Sequence, residues 1–131
     1  MSGHQLLWFQ SKGGGAGMPD CIFCRIIRGE IPSKKVFEDE RILVIEDVSP
    51  QAPTHLLFIP RDHFESCLDM AEGNDATIGY IFRKAGEIAA ARGIDKSGFR
   101  LVQNNGEGAG QSVFHMHIHL LAGRGFSWPP G

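Results

Sequence analysis

The segment His115-Met116-His117-Ile118-His119-Leu120-Leu121 decides how the rest of the chain is read. Its histidines stand at i, i+2 and i+4 and alternate with apolar residues, which is the period of a β-strand. The three imidazoles therefore face one side of a sheet, about 7 Å apart, while Met116, Ile118 and Leu120 face the other. Three adjacent imidazoles that were all protonated would repel one another, so a solvated histidine face is a poor account of the pattern. A neutral set with defined tautomers needs hydrogen-bond partners. Two chemistries use such a set: His-x-His on a strand places two imidazoles on one zinc ion, and an imidazole held by its neighbours can attack phosphorus.

Working outward, the loop before this strand carries glycines at 106, 108 and 110, and Gly123 lies just past it. They let backbone approach a ligand closely, and the N–H groups of Gly110, Gln111, Ser112 and Val113 are expected to form an anion-binding nest. No Gly-Lys-Ser/Thr is present, so this is not a Walker loop. Residues 34–38, 41–46, 55–59 and 99–103 are rich in β-branched and aromatic types and read as four further strands. Ile78, Ile81, Phe82, Ala85, Ile88 and Ala89 recur at helical spacing, which predicts one long helix with Asn74 or Asp75 as N-cap and Gly93 beyond its end. Ile22, Phe23, Ile26 and Ile27, closed by Gly29 and Pro32, predict a short one. Strands in succession with a single long helix between them point to an α+β fold with an antiparallel five-stranded sheet, not to a βαβ repeat.

At 131 residues the chain is expected to form one domain. Lys plus Arg number 13 against 15 for Asp plus Glu, a net charge of −2, which leaves no basic field for a nucleic-acid polymer or an anionic membrane. Apolar runs such as Leu56-Leu57-Phe58-Ile59 have the length of a buried strand, far below the ~20 residues of a membrane span. The start, with Leu6-Leu7-Trp8-Phe9, lacks the basic region of a secretory signal, so a cytoplasmic location is expected. Residues 1–17 end in Gly13-Gly14-Gly15-Ala16-Gly17 and read as a flexible extension ahead of a domain at 18–131. Cys21-x-x-Cys24 suits metal or redox chemistry in a reducing compartment. The thioredoxin-like βαβ context of a redox pair is missing, whereas two thiolates could share one zinc ion if His63 and a histidine of the strand completed the set. Cys67 is expected to stay unligated.

The histidine strand resembles the His-φ-His-φ-His-φ-φ triad of the HIT superfamily. Asp47-Val48-Ser49-Pro50-Gln51-Ala52-Pro53-Thr54-His55, Gly110-Gln111-Ser112-Val113 and Trp128-Pro129-Pro130-Gly131 are similar to its Hint branch of purine nucleoside phosphoramidases, and the resemblance covers 19–131. It implies a HIT-like fold, a homodimer and hydrolysis of AMP linked through a P–N or similar bond. On this reading His117 is the nucleophile, forming a nucleotidyl-imidazole intermediate. His119 contacts the phosphate, and Ser112 with the amides of Gly110, Gln111 and Val113 holds its oxygens. The resemblance also implies that His55 helps fix the tautomer of His117, that Asn104 orients the loop, and that Asp47 accepts the ribose hydroxyls. Phe23, Ile26, Ile31, Val48 and Leu57 would form the purine slot, and Trp128 would reach the partner subunit. Branches that carry CxxC imply a structural zinc ion on Cys21, Cys24, His63 and His115, with no position left open for water. Two other functions fit the residues: a zinc hydrolase with His117 and His119 as ligands, for which the adjacent loop offers only Glu107 as a base, and a nucleotide-binding sensor or adaptor.

Overall fold

The computed structural model describes residues 20–131, so the extension expected at 1–17 lies outside the described residues. The order along the chain is α1 (Ile22–Ile27), β1 (Lys35–Glu38), β2 (Ile42–Glu46), β3 (Thr54–Pro60), α2 (Asn74–Ala91), β4 (Phe99–Val102) and β5 (Ile118–Ala122). The strands form one antiparallel sheet in the order β1-β2-β3-β5-β4, the α+β arrangement expected from the sequence. Among the described residues no helix is long and apolar enough to cross a membrane.

Period-two alternation divides the central strands between two cores. Ile42, Val44, Leu56, Phe58, Ile118 and Leu120 pack under Ile81 and Ala85 of α2. Leu43, Ile45, Leu57 and Ile59 face the other way, against Phe23, Cys24 and Ile26 of α1. Both faces are covered, which is why β2 and β3 are buried almost without interruption. The α1 side holds the histidines.

Three local expectations change. Gly73, at φ +97°, takes the N-cap position of α2, because the Asn74 and Asp75 side chains accept from Ala71 N–H and Gly73 N–H in the preceding turn instead. The second strand starts at Ile42 because Asp39 Oδ1 accepts the N–H groups of Arg41 and Ile42 and closes a turn there. The fifth ladder begins at Ile118, so His115 and His117 precede it. Met116 N–H donates to Phe64 O and the His115 ring reaches Pro60 O, contacts that take this segment out of the ladder. The three imidazoles still share a side, since Phe23 meets both His115 and His117 edge-on and His117 lies 5.0 Å from His119 between ring centroids.

Candidate active site and metal cluster

A cavity of about 340 Å³ opens between α1, the β2–β3 loop and the histidine segment. Ile22, Phe23 and Ile26 of α1, with Ile31 and Pro32 behind them and Ile45 and Leu57 from the sheet, make one end an apolar slot. At the other end stand Asp47, Val48, Ser49 and Gln51 of the loop, Ser112 and Val113, and His55, His117 and His119. Apolar walls with a few converging polar groups are the usual build of a small-molecule site.

The tautomer of His117 follows from its partner. Nδ1 lies 2.8 Å from the backbone carbonyl of His115, which can only accept, so Nδ1 carries the proton and Nε2 keeps its lone pair. Burial pushes the His117 pKa below the ordinary histidine value, against the effect of that hydrogen bond, and the ring is neutral near pH 7. A buried neutral imidazole with a free lone pair meets the demands of a nucleophile.

Behind it, Cys21, Cys24, His63 and His115 bring four ligand atoms within 4.8 Å of one another. Cys21 is also the N-cap of α1, its sulfur accepting from Cys24 N–H. His115 Nε2–H donates to Pro60 O at 2.7 Å, which turns the Nδ1 lone pair toward the sulfurs. Tetrahedral zinc with ordinary bond lengths has N···N edges of about 3.3 Å and N···S edges of about 3.6 Å. The separations here are 3.1 Å for His63 Nδ1 to His115 Nδ1 and 3.4, 3.6 and 3.4 Å for the sulfur–nitrogen pairs. The donor set therefore fits a zinc ion with four protein ligands, which would staple the start of α1 to the histidine segment. Cys24 is held far below its usual range, first by Cys21 and then by His115 and His63, while Cys21 is raised by its bond to Cys24 and by burial. Cys67 is exposed and outside the cluster.

A second group, Asp47, His55 and His119, also brings donor atoms together. His55 Nε2 is 2.8 Å from His119 Nδ1 and 3.4 Å from Asp47 Oδ2. Burial lowers the pKa of His55 and, joined by His117 and His55, pushes that of His119 down to about 4.

With this geometry in place, the chain can be set beside known proteins. A profile of the HIT domain matches residues 28–126. The chain belongs to the HIT family. A HIT family hydrolase from Legionella pneumophila superimposes with a TM-score of 0.82 at 47% identity, covering 85% of this chain and 99% of that one. A 14 kDa zinc-binding protein of Zea mays is 44% identical over 112 residues, 84% of this chain and 87% of its own length. A histidine triad nucleotide-binding protein from Candida albicans gives a TM-score of 0.72 at 32% identity, covering 85% and 84%.

Within this HIT domain several residues sit differently from expectation. His55 meets His119, not His117, whose tautomer is set by the His115 carbonyl. The nest is smaller than expected, because Gly110 N–H donates to Glu107 O and Gln111 N–H to Gly106 O. The Gln111 side chain is buried and braces the loop through Gly106 N–H, Glu65 O and Val113 O. Ser112 and Val113 line the cavity, whereas Asn104, Gly110, Gln111 and Trp128 are not among its lining residues. Gln103 donates to Asn104 O, and Trp128 is 83% exposed. Phe126, beside it in the tail, rests on the guanidinium groups of Arg100 and Arg124. Val48 lines the cavity while 96% exposed, which places it at the mouth. Gly123 serves packing: a Cβ there would lie 2.8 Å from Pro53 Cβ, so only glycine lets β5 run against the β2–β3 loop.

The sequence reading missed Ile22, Pro32, Ser33, Ile45, Glu46, Ser49 and Gln51 as lining residues. Ile45 was accessible from alternation with Leu43. Gln51 gave no side-chain signal, because its backbone N–H is the group that matters.

Proposed function

We propose that this HIT protein is a nucleotide hydrolase that cleaves AMP-linked substrates, adenosine phosphoramidates or related conjugates, through a covalent nucleotidyl intermediate on His117. The observation that carries the reading is the free Nε2 of a neutral His117 in a cavity that joins an apolar slot to Asp47, Ser112 and His119. The purine enters the slot between Phe23, Ile26, Ile31 and Leu57, with Val48 at its mouth, and the Asp47 carboxylate accepts the ribose hydroxyls. Ser112 and the amides of this segment hold the phosphate oxygens, and His119 donates to one of them. The Nε2 lone pair of His117 attacks phosphorus, the P–N bond to the leaving amine breaks, and that amine takes its proton from solvent. Water then attacks phosphorus and the P–Nε2 bond breaks, returning the electron pair to His117 and releasing AMP and a proton. The names of the Legionella and Candida proteins, a hydrolase and a nucleotide-binding protein, support this reading.

Zinc belongs to the Cys21, Cys24, His63 and His115 cluster as a structural ion, in keeping with the name of the maize relative. A zinc hydrolase built on His117 and His119 is less well supported, since His117 is in neither group of converging donor atoms among the described residues. The same reading makes the protein a cytoplasmic homodimer in which the exposed Trp128 reaches a partner subunit and shapes the leaving-group side. Deleting 126–131 then changes discrimination among leaving groups more than affinity for AMP.

The test is His117→Ala. Adenosine phosphoramidate hydrolysis should vanish while AMP binding survives, and mass spectrometry of quenched wild-type protein should find an adenylate on His117. Retained turnover sinks the mechanism. AMP binding with no turnover of any adenylated amine, acid or dinucleotide would leave a binding module.

A further inference from the structure

The proton on His119 is fixed by a chain of hydrogen bonds that begins in the backbone of the β2–β3 loop. Gln51 N–H donates to His55 Nδ1 at 3.0 Å, so that nitrogen is an acceptor and the neutral His55 ring carries its proton on Nε2. The alternative tautomer would set two N–H donors head to head. His55 Nε2–H in turn lies 2.8 Å from His119 Nδ1 and 3.4 Å from Asp47 Oδ2, so the imidazole is the nearer acceptor. His119 Nδ1 must then be unprotonated, and Nε2, the ring's other nitrogen, bears the hydrogen. The starting point is held firmly. Arg124 Nε donates to Gln51 O, Gln51 Nε2 donates to Ser49 O, and Ser49 N–H donates to Asp47 Oδ1.

We propose that His55 is a positioning residue that locks His119 as the neutral Nε2–H tautomer, the lock being anchored on the Gln51 amide. This deepens the proposed function, on which the phosphate and ribose roles rest: the loop that takes the ribose also aims the N–H that meets the phosphate. The charged and titratable groups facing His119 are His117, His55 and Asp47. Only Asp47 favours a proton on it. Burial and the two rings oppose one, in line with the same geometry, because a second proton on Nδ1 would confront His55 Nε2–H. An anionic ligand is therefore met by a neutral donor.

Nitrogen NMR of the metal-loaded full chain, labelled with ¹⁵N-histidine and free of nucleotide, reads the tautomer directly. Wild-type His119 is expected in the Nε2–H form. His55→Leu removes the lock, giving a mixture of tautomers and a His119 midpoint raised by about one pH unit, a tenfold change in proton affinity. His55→Gln restores the Nε2–H form, since its carbonyl can accept from Gln51 and its amide can donate to His119. The acid limb of kcat/KM should move with the midpoint in His55→Leu and return in His55→Gln. A wild-type ring protonated on Nδ1, or an unchanged tautomer and midpoint in His55→Leu, overturns the lock. If His55→Leu fails to fold, the wild-type tautomer alone decides. Absence of turnover with every adenylated substrate would remove the hydrolase reading yet leave the lock intact, because the spectra need no substrate.

Discussion

The Cys21/Cys24/His63/His115 cluster and the Asp47/His55/His119 cluster use similar side chains in neighbouring parts of one fold, and their outer partners differ in sign. Behind His115 stands an acceptor, Pro60 O, which accepts from Nε2–H and leaves the Nδ1 lone pair pointing inward. Behind His55 stands a donor, Gln51 N–H, which forces the proton inward. The inner distances follow: 3.1 Å between nitrogens in the first, near a tetrahedral edge, and 2.8 Å in the second, the length of an N–H···N bond. A single backbone group behind a histidine thus decides whether its cluster converges on a cation or passes a hydrogen bond toward a ligand.

The comparison breaks most visibly if the first cluster binds no metal. Purified protein should hold about one zinc per chain, and Cys24→Ser should lose it together with about 10 °C of melting temperature, roughly 3 kcal/mol for a domain of this size. His55→Gln should keep its zinc. Elemental analysis and thermal melts check both, and wild-type protein that purifies without zinc, or a Cys24→Ser variant that melts with the wild type as purified, would refute the assignment. A subtler break would come from the second cluster. Titration of the zinc-loaded protein by calorimetry should show no second equivalent of comparable affinity, because a cation there would have to displace the His55 Nε2 proton and lose the Gln51 bond.

Acid sharpens the contrast further. His119 titrates near 4 in the folded protein against an ordinary value of 6.5, so the unfolded chain binds a proton that the fold refuses. The stability from this group is complete above pH 6.5 and declines as pH falls toward 4. Between pH 7 and 5 the wild type should lose about 1 to 2 kcal/mol more than His119→Gln in urea melts. Taking the difference removes the part due to protonation of the metal ligands. Equal losses would mean that His119 is not held neutral. The smallest effect concerns Ser33, whose buried Oγ has no hydrogen-bond partner among the described residues, unlike the polar atoms of either cluster. Ser33→Ala should raise the melting temperature by a few degrees, about 1 kcal/mol.

Much of this was legible in the sequence because burial writes a period into it. Alternation in 115–121 marks which side chains share a face, the unbroken apolar run at 42–45 marks a strand covered on both sides, and the CxxC spacing marks two ligands on one helical turn. That His63 and His115 complete the set came from the family resemblance, because their closure on the cysteines is three-dimensional and no local pattern encodes it. The tautomers were illegible for a different reason: Pro60 O, His115 O and Gln51 N–H are backbone groups, and backbone groups carry no residue identity. The nest was over-read because glycine content advertises close approach without revealing that the amides of Gly110 and Gln111 are consumed within their own turn. The exposed Trp128 was found as a terminal aromatic, while the seat of Phe126 on Arg100 and Arg124 depends on strand pairing that brings residues far apart in sequence together.

The slot has two walls of unequal rigidity. One is the sheet, where Ile45 and Leu57 belong to adjacent central strands held by a continuous ladder. The other is α1, six residues long, below the length at which a helix persists by itself in water. Its order comes from the sulfur cap at Cys21, the metal-ligand cluster at its start and the burial of Phe23 and Ile26. The α1 wall is therefore expected to open locally before the sheet does, its C-terminal half beyond Cys24 first. Amide hydrogens of α1 should then exchange well before those of β3, and a bound base, by filling the space against Phe23 and Ile26, should slow them selectively.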